Sequence, residues 1–161
     1  MYNTKSRLLI SSIVSIVFLT LIAFSISTTN NNTKKNTKFY LSDKYYNNGE
    51  VIKLDEDSIK DVENENFLLF TYNNFCGMAK PCEDIFDSVL KKYKIDYVSI
   101  PIESFRKTKY HNTVKIAPSF IIIKSGEIVA YLDAEKDSDL DYYQNEDDFE
   151  KWLSNYIYLN K

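Results

Sequence analysis

The apolar residues of this chain fall into three textures, and each predicts a different kind of element. Residues 8–26, "LLISSIVSIVFLTLIAFSI", carry no charge. As a helix this run would rise about 28 Å, close to the thickness of a bilayer core. Shorter runs rich in β-branched and aromatic residues follow: "EVIKL" at 50–54, "FLLFTY" at 67–72, "IDYVSIPI" at 95–102, "SFIIIK" at 119–124 and "EIVAYLD" at 127–133. These predict strands, and "FLLFTY" suits a strand buried on both faces of a sheet. The third texture is helical. Ile85, Phe86, Val89, Leu90 and Tyr93 recur three and four apart, as do Phe149, Trp152, Leu153, Tyr156 and Ile157 within 146–159.

Punctuation residues refine this picture. Asn47-Asn48-Gly49 marks a turn ahead of the first strand, and Ser125-Gly126 is a two-residue turn that makes a hairpin of the last two strands. "DEDSIKDVENEN", 55–66, predicts a short helix capped by Asp55 or Asp57, with Ile59 and Val62 facing inward and Asn66 at its end. Pro81 fits the first helical position, with Glu83, Asp84 and Asp87 early and Lys91, Lys92 and Lys94 late, which complements the helix dipole. Residues 103–112 predict a short helix or irregular crossover, and 134–145 a polar, acidic stretch. The order strand, helix, strand, helix, strand, helix, strand, strand, helix predicts an α/β domain: a mixed central sheet with helices on both faces.

At 161 residues there is room for one domain beside the apolar segment. The expected division is a cytoplasmic N-terminus at 1–7, a transmembrane anchor or signal at 8–26, a polar tether at 27–46 and the folded domain at 47–161. Lys5 and Arg7 precede the apolar run, so the positive-inside rule places the domain outside the cytoplasm, on a single-pass anchor in the cell membrane. A cleaved signal peptide is the rival reading, although its apolar part is typically about 7 to 15 residues. A buried core helix is the third. The segment up to Ile26 holds no acid, so the rest is more acidic than the formal charge of −3, which argues against a nucleic-acid partner.

Chemistry concentrates in "TYNNFCGMAKPCED", 71–84, which holds both cysteines, Cys76 and Cys82. The pair can be redox-active, a static bridge suited to an oxidising compartment, or degenerate. In one continuous helix, six positions give about 9 Å of rise, beyond the roughly 7 Å that a disulfide tolerates between Cα atoms. A bond between them therefore needs Cys76 in a loop folded back over the helix start, for which Gly77 supplies a permissive backbone. His111 is the only histidine, a sparse basis for a soft-metal site. Asp137, Asp139, Asp141 and Asp148 echo a calcium loop, but Tyr142 stands where a sharp glycine turn is needed, and a solvated acidic loop is the plainer reading. No metal and no cofactor is expected.

Two blocks, "LLFTYNNFCG" at 68–77 and "VKIAPSFIIIKSGEIV" at 114–129, resemble the thioredoxin-like superfamily, and the resemblance covers roughly residues 51–159. It implies a thioredoxin-like sheet and a protein thiol–disulfide oxidoreductase that needs no cofactor. Its partners would be cysteine-containing protein substrates or a redox partner protein. Carried onto this sequence, Cys76 falls on the exposed nucleophile, Cys82 on the resolving thiol and Pro118 on the cis-proline. Phe75, Gly77 and Ala117 fall on substrate-facing positions, Ala117 supplying a backbone edge for an extended substrate. The helix dipole by itself would allow either cysteine to attack first, with Glu83 and Asp84 opposing its effect on Cys82. Three features depart from the family pattern: Met78-Ala79-Lys80 is inserted between Cys76-Gly77 and Pro81-Cys82, Phe75 replaces Trp, and Phe70 stands where thioredoxins carry a buried acid. These departures support the alternative of a membrane-anchored, non-catalytic interaction module accessory to a secretion or transport system.

Overall fold

The computed structural model describes residues 37–73 and 81–161. Its five strands are β1 (Val51–Lys53), β2 (Phe67–Tyr72), β3 (Tyr97–Pro101), β4 (Ser119–Lys124) and β5 (Glu127–Tyr131), in one sheet of order β1-β3-β2-β4-β5. β2 is central and buried along nearly its whole length, as its unbroken apolar run predicts. It runs parallel to β3, with Leu69 opposite Val98, and antiparallel to β4, with Phe70 opposite Phe120. The parallel β2–β3 pair requires a crossover, which helix α1 (Cys82–Tyr93) provides. The expected hairpin joins β4 and β5 through Ser125 and Gly126, both at positive φ.

Side chains alternate across the strands, so each face of the sheet has its own cover. On one face, Phe70 and Phe120 meet Phe86 of α1 at ring-centroid distances of 5.4 and 4.8 Å. Phe149 and Trp152 of the closing helix complete this layer. On the other face Phe67 packs with Tyr45 and Tyr110. Fully burying one such side chain is worth roughly 1.5–3 kcal/mol, so these two layers dominate the core.

The segments at 55–66 and 103–112 form the short helical elements expected of them, while the acidic stretch departs from the expectation. The 55–66 segment forms a 3-10 helix over Ser58–Val62 with Asp57 at the N-cap position, and the Asp55 carboxylate accepts from the backbone N–H groups of Asp57 and Ser58. The crossover after β3 is a short helix α2 (Ile102–Phe105) followed by a 3-10 turn at Lys109–Asn112. The acidic stretch is not a plain solvated loop: it holds a 3-10 turn at Asp137–Asp139 and helix α3 (Leu140–Gln144), ahead of α4 (Glu146–Ser154). Asp139 is buried there and accepts from the backbone N–H of Asp133 at 3.2 Å and from the Ser138 hydroxyl at 2.9 Å. That structural duty removes it from the calcium-like set. Among the described residues no group of three or more His, Cys, Asp or Glu gathers in a metal-binding arrangement.

The tether expected to run to residue 46 gives way to the core before Phe39. Phe39, Leu41 and Tyr45 are buried, and Phe39 exchanges backbone hydrogen bonds with Tyr156 and Tyr158. Asn66 fastens this segment: its N–H donates to Ser42 Oγ, its Nδ2 to the Tyr40 carbonyl, and its Oδ1 accepts from Ser125 N at 2.8 Å. Among the described residues no helix is long and apolar enough to cross a membrane, and the expected anchor at 8–26 lies outside them.

Candidate active site

The C-terminal end of β2 and the start of β4 lie side by side, because Thr71 is paired with Ser119. This register brings Asn73, the last described residue before the cysteine segment, beside Ala117. The Ala117–Pro118 peptide is cis, and Ile116, Ala117 and Pro118 are all half-buried. Of the predicted residues, Cys82, Ala117 and Pro118 are described; Phe75, Cys76 and Gly77 lie outside the described residues.

Cys82 is the first residue of α1, with Pro81 one position outside the helix as its N-cap. Proline suits that place, since it has no N–H to leave unsatisfied. The Cys82 side chain points inward and is only 3% exposed. One turn later on the same face is Phe86, which meets Tyr143 of α3 at 5.7 Å between centroids. Burial pushes the phenols of Tyr97 and Tyr143 far above the ordinary tyrosine range, and the sulfur of Cys82 adds to both shifts. Both phenols therefore stay neutral at any physiological pH. Tyr97 spends its proton on Asp87 Oδ1 at 2.7 Å, and Tyr143 spends its own on the Pro118 carbonyl at 3.0 Å. Outside this layer Glu83 is held above the usual carboxylate range, first by desolvation and then by the Asp87 carboxylate.

The buried acid of the family pattern has no counterpart at Phe70. That side chain is 1% exposed and closed in by Phe86 and Phe120. His111 lies on the crossover, as its surroundings in the sequence suggest, with Nδ1–H donating to the Val114 carbonyl at 3.1 Å. Pattern reasoning missed Tyr143 and Asn73. Asn73 directly follows β2, and its Nδ2 donates to the Ala117 carbonyl at 2.9 Å. Its place between a strand end and the cysteines was the available signal. Tyr143 offered none, because a five-residue helix is too short to show a period.

The strand order, the antiparallel β4 and β5, and the cis-proline ahead of β4 give the chain a thioredoxin-like fold. Solved structures to which it is similar include thioredoxin f from spinach chloroplast in its long form, with a TM-score of 0.48 and 14% identity over 66% of this chain and 86% of that one. A thioredoxin from Halobacterium salinarum NRC-1 also has a TM-score of 0.48 at 14% identity, over 68% and 93% of the two chains. A thioredoxin from Nicotiana alata has a TM-score of 0.45 at 20% identity, over 66% and 91%. No protein-family profile and no curated protein matches the sequence.

Proposed function

We propose that this chain is an extracytoplasmic thiol–disulfide oxidoreductase, held at the cell membrane by residues 8–26 and acting on proteins through Cys76 and Cys82. The observation that carries this reading is the burial of Cys82 at the first position of α1, on the face where Tyr143 joins it to the Pro118 segment. A resolving thiol belongs in such a place: sheltered, and close to the positive end of the helix dipole, which favours its thiolate. Its seclusion gives the first attack to Cys76.

In the reducing direction the Cys76 thiolate attacks one sulfur of a substrate disulfide, forming a mixed disulfide and expelling one substrate thiolate. The Cys82 thiolate then attacks Cys76 Sγ, releasing the second substrate thiolate and leaving a Cys76–Cys82 disulfide. The substrate gains two electrons and the protein loses two, to be restored by a redox partner protein; the oxidising direction is the reverse. Ala117 contributes backbone alongside, where an extended substrate can pair. The test is capture. Replacing Cys82 with Ser should trap mixed disulfides at Cys76 in the parent cells, and none would form if the pair does not exchange with substrates.

A second reading is favoured by Phe70. With an apolar ring at the proton-relay position, the fold suits an anchored interaction module without catalysis. Insulin reduction separates the two: a module shows no rate above its double-cysteine variant.

A further inference from the structure

The segment before β4 presents three consecutive carbonyls, and each accepts a hydrogen bond from a side chain. Ile116 O accepts from Ser119 Oγ at 2.8 Å, Ala117 O from Asn73 Nδ2 at 2.9 Å, and Pro118 O from the Tyr143 hydroxyl at 3.0 Å. Two of these donors are sealed in the core, Ser119 and Tyr143 both being 0% exposed. Asn73 is only half-buried, at the rim where β2 ends. The three bonds therefore differ in how readily they can be exchanged, and the one at Ala117 is the one within reach of a ligand.

A carboxamide N–H is chemically close to a peptide N–H, so the Asn73 side chain presents to Ala117 the same donor that an extended polypeptide would. We propose that Asn73 is a specificity-determining residue, an internal competitor whose amide occupies the Ala117 carbonyl that a substrate backbone would use. This rests on the reading of Ala117 as the docking edge. An extended substrate then gains little from that carbonyl, because its N–H replaces a bond already made. Small disulfides that offer no backbone N–H do not enter this competition. Asn73 thus raises the threshold for polypeptides and favours those with further contacts.

The test uses the full chain in detergent micelles, wild type against Asn73→Ala. Two rates are measured: kcat/KM for insulin reduction, and the second-order rate constant for 2-hydroxyethyl disulfide. The ratio of the first to the second should rise about five-fold in the variant, the size of one neutral hydrogen bond no longer displaced. An unchanged ratio would mean that the second lone pair of the Ala117 carbonyl serves the substrate with Asn73 in place, and a lower ratio would make Asn73 a support for docking; either overturns the proposal. A second arm needs no turnover. Insulin B-chain peptide with both cysteines replaced by serine is titrated into each protein, and the variant should bind about five-fold more tightly, with the Asn73 amide resonances of the wild type shifting. Equal or weaker binding overturns the proposal. Failure of the wild type to react with either disulfide would instead remove the oxidoreductase reading, leaving the peptide titration to decide the role of Asn73.

Discussion

Tyr143 and Pro118 are joined by a hydrogen bond of 3.0 Å from the phenol of the first to the carbonyl of the second. The contact links α3, a helix of one and a half turns, to the cis-proline segment ahead of β4. Tyr143 also packs on Phe86, so one side chain connects the helix that carries Cys82 with the residue ahead of β4. Tyr143→Phe keeps the ring and removes the donor. It should cost about 1–2 kcal/mol in urea denaturation, the usual penalty for leaving such an acceptor without its partner. A variant as stable as the wild type would show that the hydroxyl is dispensable.

Thr71 presents the opposite case. Its hydroxyl is buried and finds no hydrogen-bond partner among the described residues, although the residue pairs with Ser119 across β2 and β4. Thr71→Val replaces the hydroxyl with a methyl of nearly the same shape, and should stabilise the protein by about 1 kcal/mol. Destabilisation on the same urea curve would show that the hydroxyl is satisfied after all.

The acid limb of stability has a named contributor. Lys107 and Ser104 both donate to the Glu56 carboxylate and hold its pKa down, to about 2. The unfolded chain binds that proton more readily, so the contribution of Glu56 is present above the ordinary carboxylate range. It is lost as pH falls through the folded value of about 2. Wild type should therefore be more stable than Glu56→Gln at pH 7, with the two melting temperatures converging toward pH 2. A gap that stays constant across this range would locate the effect elsewhere.

How much of this was legible in sequence depends on the length and purity of each pattern. β2 and β4 have the bounds their apolar runs indicate, and α1 begins one residue after the expected proline. The Ser125-Gly126 turn was legible because its backbone demands glycine. Gly126 has φ +81, and a Cβ there would come within 2.6 Å of the Glu63 carbonyl oxygen. Residues 39–46 were not legible: Phe39, Leu41 and Tyr45 are scattered among polar neighbours, and their burial depends on docking to Asn66 and to the end of the chain. The same holds at the site. The two sequence blocks mark Cys76 and Pro118, and Asn73 lies within the first, but the contacts of Asn73 with Ala117 and of Tyr143 with Pro118 span 44 and 25 residues, and only the tertiary fold makes them.

The central claim is that Cys76 and Cys82 form one redox couple, and its most direct measurement is their thiol–disulfide equilibrium against glutathione, read by alkylation and intact mass. The account predicts that both thiols disappear together, with the loss of two hydrogens and a single two-electron midpoint, and return together under dithiothreitol in the native protein. Cysteines that remain separate thiols at every poise, or a bridge that native protein never yields to dithiothreitol, would contradict it.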